Sequence, residues 1–333
     1  MSVTSGKPVK LGRLKGTGKY VHIAEDADNS SLLVLGRSGS GKTYALQQIE
    51  KNIAENGGCV LIINFNQTHD LLNFNENQRV KRISVRSAGY PFPLFCRIPF
   101  PDGHMEEESD ITESILEIFS GILPLPVRQK AELRRAVQQV VEQSEMWQKG
   151  IYAVGELLFQ REEEAAWRVY DKFHAIFRSI EFRAQEETIF NPGEITILDL
   201  GDYAFDVQHF IAEMTLAILY RYFGIWGRYA KQPLFVGLDE FQVLRLTSNS
   251  ILAHILREGR KHNISVIMAT QTLEMFSKAQ VAVIRQAATQ LYFRPDERCL
   301  RQLEREYMGD NWVKNREKVA SFQRGECIAV GRF

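Results

Sequence analysis

The 333-residue chain is 44% hydrophobic and 25% charged, the balance of a folded protein with a sizeable core, which excludes a disordered chain. Lys plus Arg and Asp plus Glu each total 41, so the net charge is zero, and any attraction to a polyanion must come from a local patch. Cys59, Cys96, Cys299 and Cys327 are far apart, with no CxxC and no Cys/His cluster, which excludes a zinc motif or a disulfide framework and points to reduced thiols.

No apolar run approaches the ~20 residues a membrane-spanning helix needs, and Met1–Lys10 lacks the apolar stretch of a signal peptide. The expected location is the cytoplasm. Residues 1–31 carry Gly, Lys and Ser with short β-like pieces at Val9–Leu14 and Tyr20–Ile23, and read as an arm or small hairpin leading into the first core strand. Leu32–Leu35 is that strand. It runs into Gly36-Arg37-Ser38-Gly39-Ser40-Gly41-Lys42-Thr43 and then into the helix-forming Tyr44–Glu50.

The order strand, G-x-x-x-x-G-K-T, helix has a chemical reason. Glycines let backbone N–H groups close around phosphate oxygens, Lys42 reaches the β- and γ-phosphates of ATP, and Thr43 offers its hydroxyl to Mg²⁺. The helix N-terminus adds positive potential. An ordinary glycine turn has no need of this spacing between a strand and a helix.

After Gly57-Gly58, Cys59–Phe65 is a continuous apolar run of the kind buried on both faces of a parallel sheet, which completes a βαβ unit. A short strand is expected at Arg82–Val85 and a proline-locked extended connection at Tyr90–Phe95. From Pro101 to Glu117 there are seven carboxylates and no Lys or Arg. This run reads as a solvated helix start or as a partner surface. Helical periodicity follows at Ile111–Ile122, Val127–Gln148 and Glu162–Phe182, with the Leu123–Pro126 turn between the first two. Together these predict a helical insertion at about 101–190 within a core spanning 32–333.

Strand character resumes at Glu194–Leu200, followed by an amphipathic helix from about Asp206 to Phe223. Next come a strand at Pro233–Phe241, a helix near Ser250–Lys261, a strand at Ile264–Gln271, and late strands at Gln290–Arg294 and Glu326–Val330. This alternation predicts an α/β fold with a mainly parallel sheet and helices on both faces.

Two more chemical elements fit the phosphate loop. An apolar strand ending in Asp239-Glu240 supplies what a P-loop ATPase needs on a neighbouring strand: Asp239 for the Mg²⁺ shell, through water, and Glu240 as the general base that polarises the attacking water. The alternative is a carboxylate pair that only caps a strand end. Gln271, at the end of another apolar strand, lies where parallel sheets carry their ligands, and its amide can sense the γ-phosphate or orient the water. Arg260, in the basic cluster Arg257–His262, is the candidate arginine finger acting on a neighbouring subunit's ATP, with Arg257, Arg285 and Arg294 as rivals. The alternative there is a solvated helix end with its cations against the dipole.

In this order the elements resemble the HerA/FtsK superfamily of ring-forming, nucleic-acid-pumping ATPases, to which the conjugation coupling and secretion ATPases also belong. The matching residues are GRSGSGKT at Gly36–Thr43, ITILDLGD at Ile195–Asp202, LFVGLDEF at Leu234–Phe241 and EGRKHNISVIMATQ at Glu258–Gln271. Weaker matches are LYFR at Leu291–Arg294 and GECIAVG at Gly325–Gly331. The glycine–arginine–lysine turn running into a strand that ends in Ala-Thr-Gln is similar to HerA more than to FtsK. The resemblance implies a RecA-like P-loop NTPase core, ATP and Mg²⁺ as cofactors, and a homo-oligomeric ring, a hexamer, that moves DNA through a central pore.

The chain departs from that pattern at Asn64-Phe65-Asn66, where many relatives carry an acidic residue. Residues 1–31 have room only for a stub of the HerA β-barrel, and the expected chain is a nearly bare motor. Two further readings stand beside DNA translocation: an ATP-gated platform that regulates an effector such as a nuclease in bacterial defence, and a protein-secretion motor. The insertion and the loop Leu244–Asn249 are the candidate substrate- or partner-facing segments.

Overall fold

The computed structural model of the chain describes residues 9–24, 29–66, 79–183, 190–295, 300, 301, 303, 319 and 321–333. Parts of the expected amino-terminal arm (1–8 and 25–28) and of the expected insertion (184–189), together with Cys299, lie outside the described residues.

β1 (Lys10–Arg13) and β2 (Tyr20–His22) pair antiparallel as a hairpin. Eight further strands form one sheet: β3 (Leu32–Gly36), β4 (Cys59–Asn64), β5 (Arg79–Ser84), β6 (Glu194–Asp199), β7 (Leu234–Asp239), β8 (Ile264–Thr270), β9 (Thr289–Phe293) and β10 (Cys327–Val330). Their order is β10-β9-β3-β8-β7-β4-β6-β5, parallel throughout except for β10, which runs against β9.

β3, β4, β7 and β8 are buried at every position, which explains why the sequence shows continuous apolar runs there. Successive side chains still divide between the faces. Leu32, Val34, Val60, Ile62 and Ile267 pack under α1 (Lys42–Glu55), against Leu46, Ile49 and Ile53. Leu33, Leu35, Leu61, Ile63 and Met268 enter a larger core on the other face. That core is shared with α3 (Glu108–Ile122), α4 (Val127–Glu142), α5 (Ile151–Gln160) and α6 (Glu164–Ser179), all inserted between β5 and β6, and with α7 (Phe205–Trp226) and α8 (Ile251–Glu258). α2 (Val85–Ala88) and α9 (Lys278–Ile284) are short helices. No described helix is long and apolar enough to cross a membrane.

The structure corrects the sequence reading at several points. The strand expected at Arg82–Val85 runs over Arg79–Ser84 and turns into α2 at Val85. The helix expected over Val127–Gln148 ends at Glu142, and Ser144–Lys149 is a 3₁₀ turn. α5 had no counterpart in the sequence reading. Gly155 looks like a helix breaker, yet a Cβ there would sit 2.8 Å from Phe177 Cβ, so the glycine lets α5 and α6 approach closely. α8 stops at Glu258, and Gly259–His262 is a 3₁₀ turn. Finally, the strand carrying Asp239 is not next to β3, because β8 lies between them.

Candidate active site at the carboxyl edge of the sheet

The phosphate loop leaves β3 at Gly36, which is in register with Phe293 of β9. A Cβ on Gly36 would come within 2.7 Å of both Phe293 Cβ and Ser40 Oγ, so only glycine fits. Gly39 and Gly41 hold φ of 75° and 98°, the left-handed region that lets a chain of N–H groups turn inward as an anion nest. Gly41 is also the N-cap of α1, with no capping side chain and no acidic residue in the first turn. The first N–H groups of the helix are thereby left for an anionic ligand. Thr43, the second residue of α1, is half-buried at the same rim.

The carboxyl ends of β7 and β8 complete the site. Lys42 Nζ lies 3.2 Å from Asp239 Oδ1, both side chains only 7% exposed. Val34, Ala269 and Asp239 form one register row across β3, β8 and β7, so Asp239 lies two strands away from the strand that leads into the phosphate loop. A cation and a carboxylate paired this deeply, beside an uncapped helix N-terminus, suit a nucleotide phosphate with its divalent cation.

Glu240 follows directly, with φ 64°. A glutamate in the left-handed region is strained, and such residues concentrate at functional sites. Both of its carboxylate oxygens are held by amides: Gln271 Nε2 donates to Oε1 at 3.4 Å, and Gln242 Nε2 donates to Oε2. The structure therefore brings Lys42, Asp239, Glu240 and Gln271 to one edge with the Gly36–Thr43 loop. Gln242 had not stood out, because its neighbours resemble any strand exit. Its link to Glu240 depends on the backbone reversal there.

A second feature missed from sequence comes from the far end of the chain. Gly325 N–H donates to Ser40 O at 2.8 Å, and a Cβ on Gly41 would meet Gly325 N at 2.8 Å. The segment before β10 thus lies on the phosphate loop. Glu326 ties it to the β1–β2 hairpin through Lys15, 2.8 Å away.

Arg260 is elsewhere. It is exposed on the 3₁₀ turn that enters the amino end of β8, at the sheet edge opposite the phosphate loop. Gly259 is required in that turn because a Cβ would collide with the Ile264 carbonyl. Of the rivals, Arg257 donates to Ser248 O at 2.7 Å, and Arg285 ends α9 ahead of β9. Arg294 follows β9 on the phosphate-loop edge and donates to Phe322 O at 3.0 Å. The loop Leu244–Asn249 is anchored by buried Leu244 and Leu246 and by Arg245 N–H on Glu213 Oε1 at 2.5 Å, leaving Thr247–Asn249 exposed. Among the described residues no group of three or more His, Cys, Asp or Glu side chains is arranged to hold a metal by itself.

A mainly parallel sheet with a glycine-built phosphate loop, its lysine and an acidic strand end define a P-loop ATPase. The family described as the central domain of the helicase HerA matches residues 9–219, and the chain belongs to that family. Solved structures share the fold. VirB4 of Thermoanaerobacter pseudethanolicus superposes with a TM-score of 0.73 at 16% identity, over 99% of this chain and 95% of that one. The bacterial conjugative coupling protein TrwBdeltaN70 superposes with 0.62 at 13%, over 92% and 76%, and TrwB in complex with ADP and Mg²⁺ with 0.62 at 12%, over 94% and 84%. No curated protein matches the chain in sequence.

Proposed function

We propose that the chain is an ATP-hydrolysing motor that assembles into a homo-oligomeric ring, a hexamer, and drives DNA through the central pore. In this reading the Gly36–Thr43 loop holds the phosphates, Lys42 neutralises the β- and γ-oxygens, and Thr43 and Asp239 hold Mg²⁺, Asp239 through water. Glu240 is the general base, and Gln271 senses the γ-phosphate. The observation that carries the ring is the separation of the two edges: the nucleotide machinery lies at the carboxyl ends of the strands, while Arg260 is displayed at the amino ends. A guanidinium there serves catalysis only on a neighbouring subunit's nucleotide. Membership of the HerA family and the likeness to TrwB, solved with ADP and Mg²⁺, support the nucleotide and the motor class.

The test is ATP turnover with and without DNA, alongside the mass of the assembly in Mg·ATP. The expected result is a ring whose turnover DNA stimulates. A monomer with DNA-indifferent turnover overturns the reading, and a ring indifferent to DNA leaves the effector platform in its place.

A further inference from the structure

Asn64 closes β4 in the row of residues that ends β7, β4 and β6. Ile63 pairs with Leu238, and Asn64 itself pairs with Asp199, so Asn64 stands between Asp239 and Asp199, one strand spacing of about 4.8 Å from each. By the alternation of the strand it shares the α1 face with Ile62, the face on which Lys42 meets Asp239.

Its amide is oriented by its neighbours. Nδ2 donates to Asp199 Oδ1 at 2.5 Å, and Asp199 Oδ2 is held in turn by Arg82, 3.3 Å away. An ionised carboxylate only accepts, so Asn64 must turn its NH₂ towards Asp199 and its carbonyl oxygen away. The residue is 1% exposed, and that oxygen is buried with no hydrogen-bond partner. A buried acceptor without a donor is destabilising unless a ligand supplies one. The ligand that belongs beside Asp239 is the hydrated cation of the bound nucleotide.

We propose that Asn64 is a positioning residue for nucleotide-bound Mg²⁺: its Oδ1 accepts a hydrogen bond from a water of the cation's shell, and the Asp199–Arg82 pair fixes the amide for that task. The proposal rests on the site assignment made under Proposed function. Asn64 supplies an acceptor without adding a third carboxylate to a row that already holds two, where like charges on adjacent strands would repel.

The experiment is a Mg²⁺ titration of fluorescent ADP binding to the full chain, with an EDTA arm. Asn64→Leu keeps the volume and removes the acceptor. It is expected to bind the nucleotide in EDTA as the native protein does and to raise the Mg²⁺ midpoint by about tenfold or more, the usual size of an outer-shell effect. An unshifted midpoint with intact EDTA binding overturns the proposal and makes Asn64 structural. Loss of nucleotide binding by the native protein itself would instead sink the site assignment. Should Asn64→Leu fail to fold, Asp199→Asn decides: it leaves the Asn64 oxygen in place but frees the amide, so the midpoint must rise, and an unchanged midpoint overturns the anchoring.

Discussion

The two edges of the same sheet are built in opposite ways. At the carboxyl edge the functional groups are joined within one chain: the buried Lys42 to the buried Asp239, the half-buried Glu240 to Gln242 and the exposed Gln271, and the buried Ser40 to Gly325. At the amino edge Arg260 and Lys261 are exposed on a tight turn shaped by Gly259, pressed against Ile264 O, and by Asn263 at φ 57°. One edge is preorganised for a ligand brought to it. The other is a turn carrying exposed cations, where the proposed ring assigns Arg260 to a neighbouring subunit's nucleotide.

The comparison breaks first at Lys42. Lys42→Ala is expected to abolish turnover, because it removes the cation that the proposed site assigns to the β- and γ-phosphates. It also leaves the buried Asp239 carboxylate without its partner, at a cost of about 3–5 kcal/mol in stability. Thermal unfolding checks the second effect. The double variant with Asp239→Asn should recover most of the melting temperature and none of the turnover. A folded Lys42→Ala protein with normal turnover would remove the phosphate loop from the chemistry.

At the opposite edge, Arg260→Ala is expected to lower turnover by ~10³-fold or more while leaving nucleotide affinity and assembly largely intact. The sharper measurement mixes Arg260→Ala protomers with Lys42→Ala protomers. Activity regained in mixed rings requires an intact arginine of one subunit to meet an intact phosphate loop of the next. If mixing restores nothing, or if Arg260→Ala turns over normally, the finger passes to Arg257, Arg285 or Arg294. Of these, Arg294 stands on its own subunit's nucleotide edge, whereas Arg285 shares the amino edge with Arg260.

How much of this was legible in the sequence follows from how local each feature is. The phosphate loop is contiguous and its chemistry dictates its spacing, so Gly36–Thr43 could be read directly. The parallel sheet could be read from apolar runs too continuous for a half-exposed strand. The position of β8 between β3 and β7 could not, because strand order is a property of crossovers and leaves no mark on the strands themselves. α5 was hidden by Gly155, whose role is close approach to Phe177. Gly325 on the phosphate loop and Asp199 beside Asn64 are contacts between remote segments. The exchange of an acid for Asn64 was visible as a departure, but its accommodation by Asp199 needed the register of β4 with β6.

The smallest expected effect on stability concerns Glu240, where stability and chemistry pull apart. Its left-handed backbone costs a non-glycine residue about 1–2 kcal/mol, and glycine would relieve that strain while losing roughly 0.5–1 kcal/mol to the greater freedom of the unfolded chain. Glu240→Gly should therefore melt at the native temperature or slightly above it. Glu240→Gln retains the strain and the shape and loses only the base. Both should bind ATP and turn it over about 10²–10⁴-fold more slowly, the range of a lost general base. If Glu240→Gln keeps native turnover, the base is another group and the strain at Glu240 serves only the turn. If Glu240→Gly unfolds earlier instead, the amide contacts from Gln242 and Gln271 outweigh the backbone term, and the residue is held for its side chain's bonds as well as for its charge.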